Sequence, residues 1–420
     1  MIIIQVIFWL SLFLIFHTYI LFPAILQLLS TGKKSQKFQE QQDDKDDTES
    51  LPYLSVLIAA FNEEEVIEEK IRSVLSSDYP SDRLEILVGS DNSTDKTNEI
   101  LYKLEKEKPR VKVSVCFERT GKPGVINQLA QKAKGEILVI TDANVMLDQS
   151  SLRILATSFN NKEVALVDTR MVNTSLKKDG ISHQEKFYIG REVRIKNQES
   201  ILWGSMMGPF GGCYAVRSKN YTPVPNHFLV DDFYVNMSVL KQGYKCISNI
   251  NANVYEDVSN DLMEEFRRKK RISAGNFQNL QKFKSLLISR RPGVAFCFIS
   301  HKVLRWLVPL LVLITLGTSI YIGTELASSA KLTELASSAK LTELASSAKL
   351  NLYLLFALVQ IIFISMPLID HILRKIGIHV LPLRFISHFV LMNLALLAGF
   401  IRYLGGIKSN VWQPTRRNQD

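Results

Sequence analysis

The sequence predicts an α/β domain on a mainly parallel sheet, held at a membrane by apolar helices N- and C-terminal to it. Three observations predict this. Short apolar runs alternate with helix-patterned stretches from Leu51 to about Gln281, and strands that alternate with helices give a mainly parallel sheet covered on both faces. Long apolar segments stand at the two ends, while the middle has the polarity of an ordinary soluble domain. Residues able to carry chemistry fall repeatedly just after the predicted strands, where ligands of such sheets sit.

In chain order, Ile2 to about Leu29 is almost continuously apolar and longer than the roughly 20 residues a bilayer crossing needs. No basic residue precedes it and no small-residue cleavage site is evident, so residues 1–30 read as an anchor and not a signal peptide. Residues 31–50 are polar and too poor in apolar side chains to fold alone, hence a tether. The folded domain is expected over 51–285. Its strands are predicted at Leu54–Ala60, Leu84–Gly89, Val111–Phe117 and Glu136–Thr141, and its helices at Glu64–Ser76, Thr94–Lys106 and Gly124–Lys134. A basic interfacial segment follows at 286–302. Apolar segments at 303–323, 350–370 and 384–405 come next, the last either transmembrane or re-entrant, then a tail over 406–420. From Thr324 to Leu350 the string TELASSAKL occurs three times in tandem. Its composition favours helix, about 40 Å long if continuous. A period of nine turns successive repeats to opposite faces, so the leucines make no single stripe.

The net charge of +10 does not point to nucleic acid. Lys33, Lys34, Arg290, Arg291, Arg374, Lys375, Arg416 and Arg417 cluster beside apolar runs, as cytoplasmic flanks do where they meet anionic lipid. The basic tether therefore places the domain on the cytoplasmic face of a cell (inner) membrane, in a multi-pass chain. Three further crossings would put the C-terminus outside, yet Arg402, Lys408, Arg416 and Arg417 favour the inside. Cys116, Cys213, Cys246 and Cys297 are widely spaced and suggest neither disulfides nor a zinc site.

The first strand ends in Ala59-Ala60-Phe61-Asn62-Glu63; small residues let backbone approach a ligand, with Asn62 capping a helix as the plainer reading. The second ends in Ser90-Asp91-Asn92-Ser93-Thr94-Asp95, where Asp91 is placed to accept a base N–H. After the third come Gly121, Lys122, Gly124 and Asn127, a tight loop with a point charge for phosphate. The fourth leads into Asp142-Ala143-Asn144, whose alternate residues can aim two oxygens at one hard cation, Mg2+ or Mn2+. Further on stand Gly211-Gly212, Asp231-Asp232 and Arg268-Lys269-Lys270-Arg271-Ile272.

Together these resemble family 2 glycosyltransferases of the GT-A (Rossmann-like) fold, and loosely their membrane-bound cellulose, hyaluronan and poly-N-acetylglucosamine synthases. The family pattern is kept at Asn62, Glu63, Asp91, Ser93, Asp95, Lys122, Asn127 and Asp142. It is broken at Ser90 and Asn144, where Asp is usual, at Arg268 for Gln, and at Ile272 for the Trp that stacks on the acceptor. Trp412-Gln413-Pro414-Thr415-Arg416 is similar to a terminal element of related synthases. The resemblance implies an inverting transfer from a nucleotide-sugar, a UDP-sugar above others, to a polysaccharide or lipid-linked acceptor. Asp232 would be the base, Asp231 its orienter, and Gly211 and Gly212 would line the sugar pocket. Asp142 and Asn144 would hold the metal, and Ala60, Asn62, Glu63, Asp91, Lys122, Asn127, Arg268 and Arg271 the nucleotide. Single-sugar transfer to a lipid carrier, a nucleotidyltransferase and a non-catalytic membrane protein are the alternatives.

Overall fold

The computed structural model describes residues 1–33, 51–174, 182–257, 261–334 and 340–407. Most of the tether, and Lys408, Arg416, Arg417 and the Trp412–Arg416 element, lie outside the described residues. The described strands are β1 (Leu54–Ala60), β2 (Leu84–Ser90), β3 (Val111–Val115), β4 (Ile137–Asp142), β5 (Met146–Leu147), β6 (Val164–Thr174), β7 (Cys213–Arg217) and β8 (Lys245–Asp257). They form one sheet in the order β3-β2-β1-β4-β7-β6-β8-β5.

β1 to β4 are parallel neighbours, as the alternating pattern predicts. β1 is buried along its whole length, which is why it reads as an unbroken apolar run. The second half is mixed: β7 is antiparallel to β4 and β6, β8 parallel to β6, and β5 antiparallel to β8. None of these four strands was predicted. β8 is rich in Asn and half exposed along much of its length, so no apolar period marks it.

The helices are α1 (Ile2–Phe16), α2 (Phe22–Ser30), α3 (Ile67–Leu75), α4 (Thr97–Glu107), α5 (Gly121–Lys132), α6 (Ser151–Thr157), α7 (Ser182–Trp203), α8 (Asp231–Lys241), α9 (Leu262–Lys282), α10 (Pro292–Cys297), α11 (Leu304–Glu334), α12 (Lys340–Lys375) and α13 (Leu381–Leu404). α3 shows how the sheet is covered. Ile67, Ile71 and Val74 are buried at helical spacing, one apolar stripe turned to the strands.

π turns join α1 to α2 and α10 to α11. Four stretches are long and apolar enough to cross a membrane by length and composition: Ile2–Ser30, Pro292–Ser328, Leu352–Lys375 and Leu381–Leu404. The segment expected to be basic and interfacial thus runs, from Pro292 on, into a candidate span. Thr315 Oγ1 donates to Gln360 Oε1 at 3.1 Å, and Gly323 abuts Leu354, so α11 and α12 pack antiparallel; the middle of the repeat lies outside the described residues.

α13 is apolar enough to span but packs on the α/β domain. Ser273 Oγ donates to Leu396 O at 2.7 Å, and Tyr403 Oη to Gln281 Oε1 at 2.7 Å. The rings of Phe277 and Phe400 lie 4.7 Å apart, and His388 reaches Glu185 of α7 at 2.9 Å.

Candidate active site

The carboxyl ends of β1, β2 and β4 meet at one edge of the sheet, and two loops there interlock. Asn62 takes the left-handed conformation at φ 52°, which Asn tolerates better than most residues. Its Oδ1 accepts from Thr94 N at 2.8 Å, and its own N–H donates to Ser93 Oγ at 3.2 Å. Glu63 N–H donates to Thr97 Oγ1 at 2.9 Å. Glu64 Oε2 accepts from Lys96 N at 2.9 Å, and Asp95 Oδ2 from Glu64 N at 3.1 Å.

Asp91 does not face this opening. It is wholly buried and accepts from Thr120 N at 2.7 Å, Gly121 N at 3.1 Å and Arg119 Nε at 3.4 Å. A buried carboxylate needs such partners, and the turn entering α5 supplies them. In the free protein Asp91 therefore positions that turn instead of waiting for a base N–H. Asn127 is likewise tied to Val224 N, Val224 O and Tyr221 Oη at 2.8–3.0 Å. Neither residue lines the cavity below, nor does Ala60.

The other predicted residues converge. One cavity of about 1070 Å³ is lined by Asn62, Glu63, Lys122, Asp142, Asn144, Gly211, Gly212, Asp231, Asp232, Arg268 and Arg271. Lys122 stands in the first turn of α5. Its Nζ lies 2.6 Å from Asp142 Oδ1, 3.4 Å from Gly211 O and 3.9 Å from Asp231 Oδ2. Burial opposes its charge, but Asp142, Asp231 and Asp232 outweigh burial and hold the ammonium well above the ordinary lysine range.

Asp232 opens α8. Its Oδ1 accepts from Phe233 N at 2.8 Å, while Oδ2 points at Gly211, where an added Cβ would stand 2.7 Å from it. Gly211 also has φ +86°, so both backbone and space require glycine there. Burial first, and the Asp231 charge second, raise the Asp232 carboxyl to about 7. An acid held near neutrality can exchange a proton at physiological pH.

Asp142 closes β4 and Asn144 follows it. Both offer hard oxygens, and the Asn144 amide has a buried nitrogen with no partner among the described residues. The nitrogen and oxygen of such an amide are interchangeable by rotation, so its oxygen can turn to a ligand. No group of three or more His, Cys, Asp or Glu side chains among the described residues is arranged to hold a metal ion. Asp142 and Asn144 would hold a divalent ion through one carboxylate and one amide oxygen, and the ion would supply charge neutralisation there.

Sequence reasoning missed Lys70, fully buried on the apolar stripe of α3. It donates to Thr141 Oγ1 at 2.8 Å and to Val145 O, bracing the Asp142 loop from beneath. Burial pulls its ammonium down to about 8. A lysine among Ile67, Ile71 and Val74 was the available signal. Also missed were Lys196, Lys302, Arg305 and Trp306, which line the same cavity from α7 and the α10–α11 segment. For Lys302 and Arg305 the signal was charge at the start of an apolar run; Lys196, in the polar α7, and Trp306 carried none.

Residues 55–220 match the family described as "Glycosyl transferase family 2". They are a family 2 glycosyltransferase domain. The transferase domain is similar to that of a β-monoglucosyldiacylglycerol synthase of Nostoc sp., 31% identical over 157 residues, 37% of this chain and 34% of the relative. It is similar too to a poly-β-1,6-N-acetyl-D-glucosamine synthase of Staphylococcus epidermidis, 31% identical over 26% of this chain and 25% of that one. A GalNAc(5)-diNAcBac-PP-undecaprenol β-1,3-glucosyltransferase of Campylobacter jejuni is 27% identical over 52% of this chain and 64% of its own. The chain spans about a third of the length of the first of these. In structure, a mannosyltransferase of Pyrobaculum calidifontis covers 95% of the chain and 99% of its own length, with TM-score 0.64 and 19% identity. That likeness in fold takes in the long apolar helices as well as the transferase domain.

Proposed function

We propose that this chain is an inverting glycosyltransferase that moves a sugar from a nucleotide-sugar, a UDP-sugar above others, to a polysaccharide or lipid-linked acceptor at a membrane. One observation carries the proposal: Asp142 and Asp232 lie on different loops yet line one cavity, with Lys122 between them.

The interlocked Asn62 and Thr94 loops frame the nucleotide end. Lys122 and Arg271 take the diphosphate; Arg271 has no ion pair among the described residues, and burial pulls its guanidinium down, so an arriving anion stabilises it. Asp142 and Asn144 hold Mg2+ or Mn2+, which supplies charge neutralisation for the departing diphosphate. Asp231 keeps Asp232 near neutrality. Asp232 Oδ2 accepts the proton of the acceptor hydroxyl as that oxygen bonds the anomeric carbon on the face opposite the leaving group, which inverts the configuration.

The packing of α13 on α9 and α7 supports an interfacial, non-crossing α13. Three crossings would then leave the catalytic domain and Arg402 on one side, the cytoplasmic one, and remove the parity conflict read in the sequence.

A nucleotidyltransferase has no support in the family match. The test is release of UDP or GDP by purified chain, with Mg2+ or Mn2+, across a panel of nucleotide-sugars. A single preferred donor and a product of inverted anomeric configuration are expected; silence with every donor would remove the proposal.

A further inference from the structure

The cavity does not end at Asp232. It continues toward the membrane helices, where its lining changes from loop backbone to Arg191 of α7, Lys302 and Arg305 of the α10–α11 segment, and Phe385, Phe389, Met392 and Leu396 of α13. Charge in this chamber is unevenly matched. Glu192 receives Arg305 Nη1, Lys302 Nζ at 3.5 Å and His301 Nε2 at 3.1 Å, and the other nitrogen of His301 meets Glu199 Oε1 at 2.7 Å. Among the described residues Arg191 has no carboxylate at ion-pair distance: its guanidinium donates to Tyr19 O and lies 5.8 Å from the Tyr19 ring. Arg305 is 9% exposed, and its Nε is buried with no partner among the described residues. On the other flank the charges are matched, Arg268 and Lys269 with Glu265, and Lys269 and His388 with Glu185.

Arginine and lysine within an apolar helix are costly unless they serve a ligand or a partner. Here Arg191, Lys302 and Arg305 have one ion-paired carboxylate, Glu192, between them among the described residues, and one guanidinium N–H waits. None of the three reaches ion-pair distance of Asp231 or Asp232 among the contacts these residues make. They are nonetheless near, because the rings of Trp306 and Phe233, each next in sequence to one of these residues, lie 5.6 Å apart. The anion they await is thus attached to the acceptor but is not its attacking atom.

The geometry points to an acceptor that is an anionic lipid: an amphiphile in which a phosphate joins an apolar tail to a hydroxylated headgroup. The phosphate lies among Arg191, Lys302 and Arg305, the tail along Phe385, Phe389 and Met392, and a headgroup hydroxyl reaches Asp232. This deepens the glycosyltransferase reading and depends on it. In the step, the headgroup oxygen bonds the anomeric carbon and the anomeric carbon–oxygen bond to the diphosphate breaks. The hydroxyl proton passes to Asp232, and the nucleoside diphosphate leaves. The lipid phosphate is unchanged.

The test supplies radiolabelled donor to membranes containing the full chain. The membranes are then extracted with organic solvent, and the extract is passed over an anion exchanger. Label is expected in the retained, organic-soluble fraction. Label in unretained lipid, in a water-soluble anion such as a free sugar phosphate, or in lipid-free polymer would overturn the inference while leaving glycosyl transfer standing. No transfer from any donor would instead overturn the glycosyltransferase reading. Arg305→Gln risks the fold because it strips a buried carboxylate of its partner, so Arg191→Gln is the sharper variant. It is expected to raise the KM for the extracted anionic lipid about tenfold or more, with the KM for the donor unchanged. An unchanged lipid KM would count against the assignment.

Discussion

The two ends of the cavity are built by opposite means. At the donor end, short loops hold one another through backbone N–H groups and neutral or singly charged side chains, as Asn62 holds Thr94. At the membrane end, long side chains from α7, α9 and the α10–α11 segment meet as buried ions, as Arg305 and Lys302 meet at Glu192. The first arrangement is local in sequence and placed by strand ends. The second joins residues more than a hundred positions apart and exists only once the helices have docked. Asp232 stands at the junction, and the comparison teaches that its environment is set by two causes, burial first and the like charge of Asp231 second.

The most damaging change at that junction is Asp232→Asn. Removing the base is expected to lower kcat by about 10²–10⁴-fold, with nucleotide-sugar binding by calorimetry preserved. Wild-type kcat/KM should fall as pH drops below about 7, the value of this carboxyl. Stability runs the other way. A raised acid keeps its proton in the native state where the unfolded chain has lost it, so its contribution is present below the ordinary Asp range and is lost as pH rises through about 7. Asp232→Asn should therefore unfold at higher temperature than wild type above pH 7. Retained turnover would move the base elsewhere.

The legibility of the two ends follows from the same contrast. Asn62, Lys122, Asp142 and Asp232 could be read because each follows a strand or opens a helix, and strand ends are where these sheets meet ligands. The roles of Asp91 and Asn127 were not readable. Whether a loop carboxylate faces a ligand or its own backbone depends on where the neighbouring turn lies, and Thr120 and Gly121 decide that for Asp91. Lys70, Glu192 and Arg305 were hidden because a buried charge looks, in sequence, like a fault in an apolar pattern. β8 was hidden because its Asn-rich, half-exposed sequence lacks the unbroken run that marks β1.

Gly211→Ala tests the junction from the sugar side. The new methyl must occupy a position 2.7 Å from Asp232 Oδ2, on a backbone at φ +86°. Displacing a catalytic group by a fraction of an ångström to an ångström costs on the order of 10²-fold in rate, so kcat should fall about that far. The circular dichroism spectrum should stay that of wild type. Activity within twofold of wild type would show that Oδ2 does not work from the place it holds here.

A gentler change separates the two causes acting on Asp232. Asp231→Asn removes the like charge and leaves burial, the larger cause. The acid limb of the pH–rate profile should move to lower pH but stop short of the range of a solvent-exposed aspartate. An unmoved limb would mean that burial sets the value alone, and a limb at the ordinary value would mean the reverse.

The smallest effect is expected far from the junction. Asn62→Ala removes Oδ1 from Thr94 N and forces alanine into the left-handed region at φ 52°, where a residue with a Cβ and no side-chain hydrogen bond is disfavoured by about 1–2 kcal/mol. The loss falls on one loop-to-loop contact and on no reacting atom. The KM for the nucleotide-sugar should therefore rise severalfold while kcat holds. Asn62→Gly keeps the backbone conformation and removes only the side-chain bond, so it should recover part of the loss. A fall in kcat equal to the rise in KM would place the nucleotide-end loops within reach of the transition state and dissolve the division between the two ends.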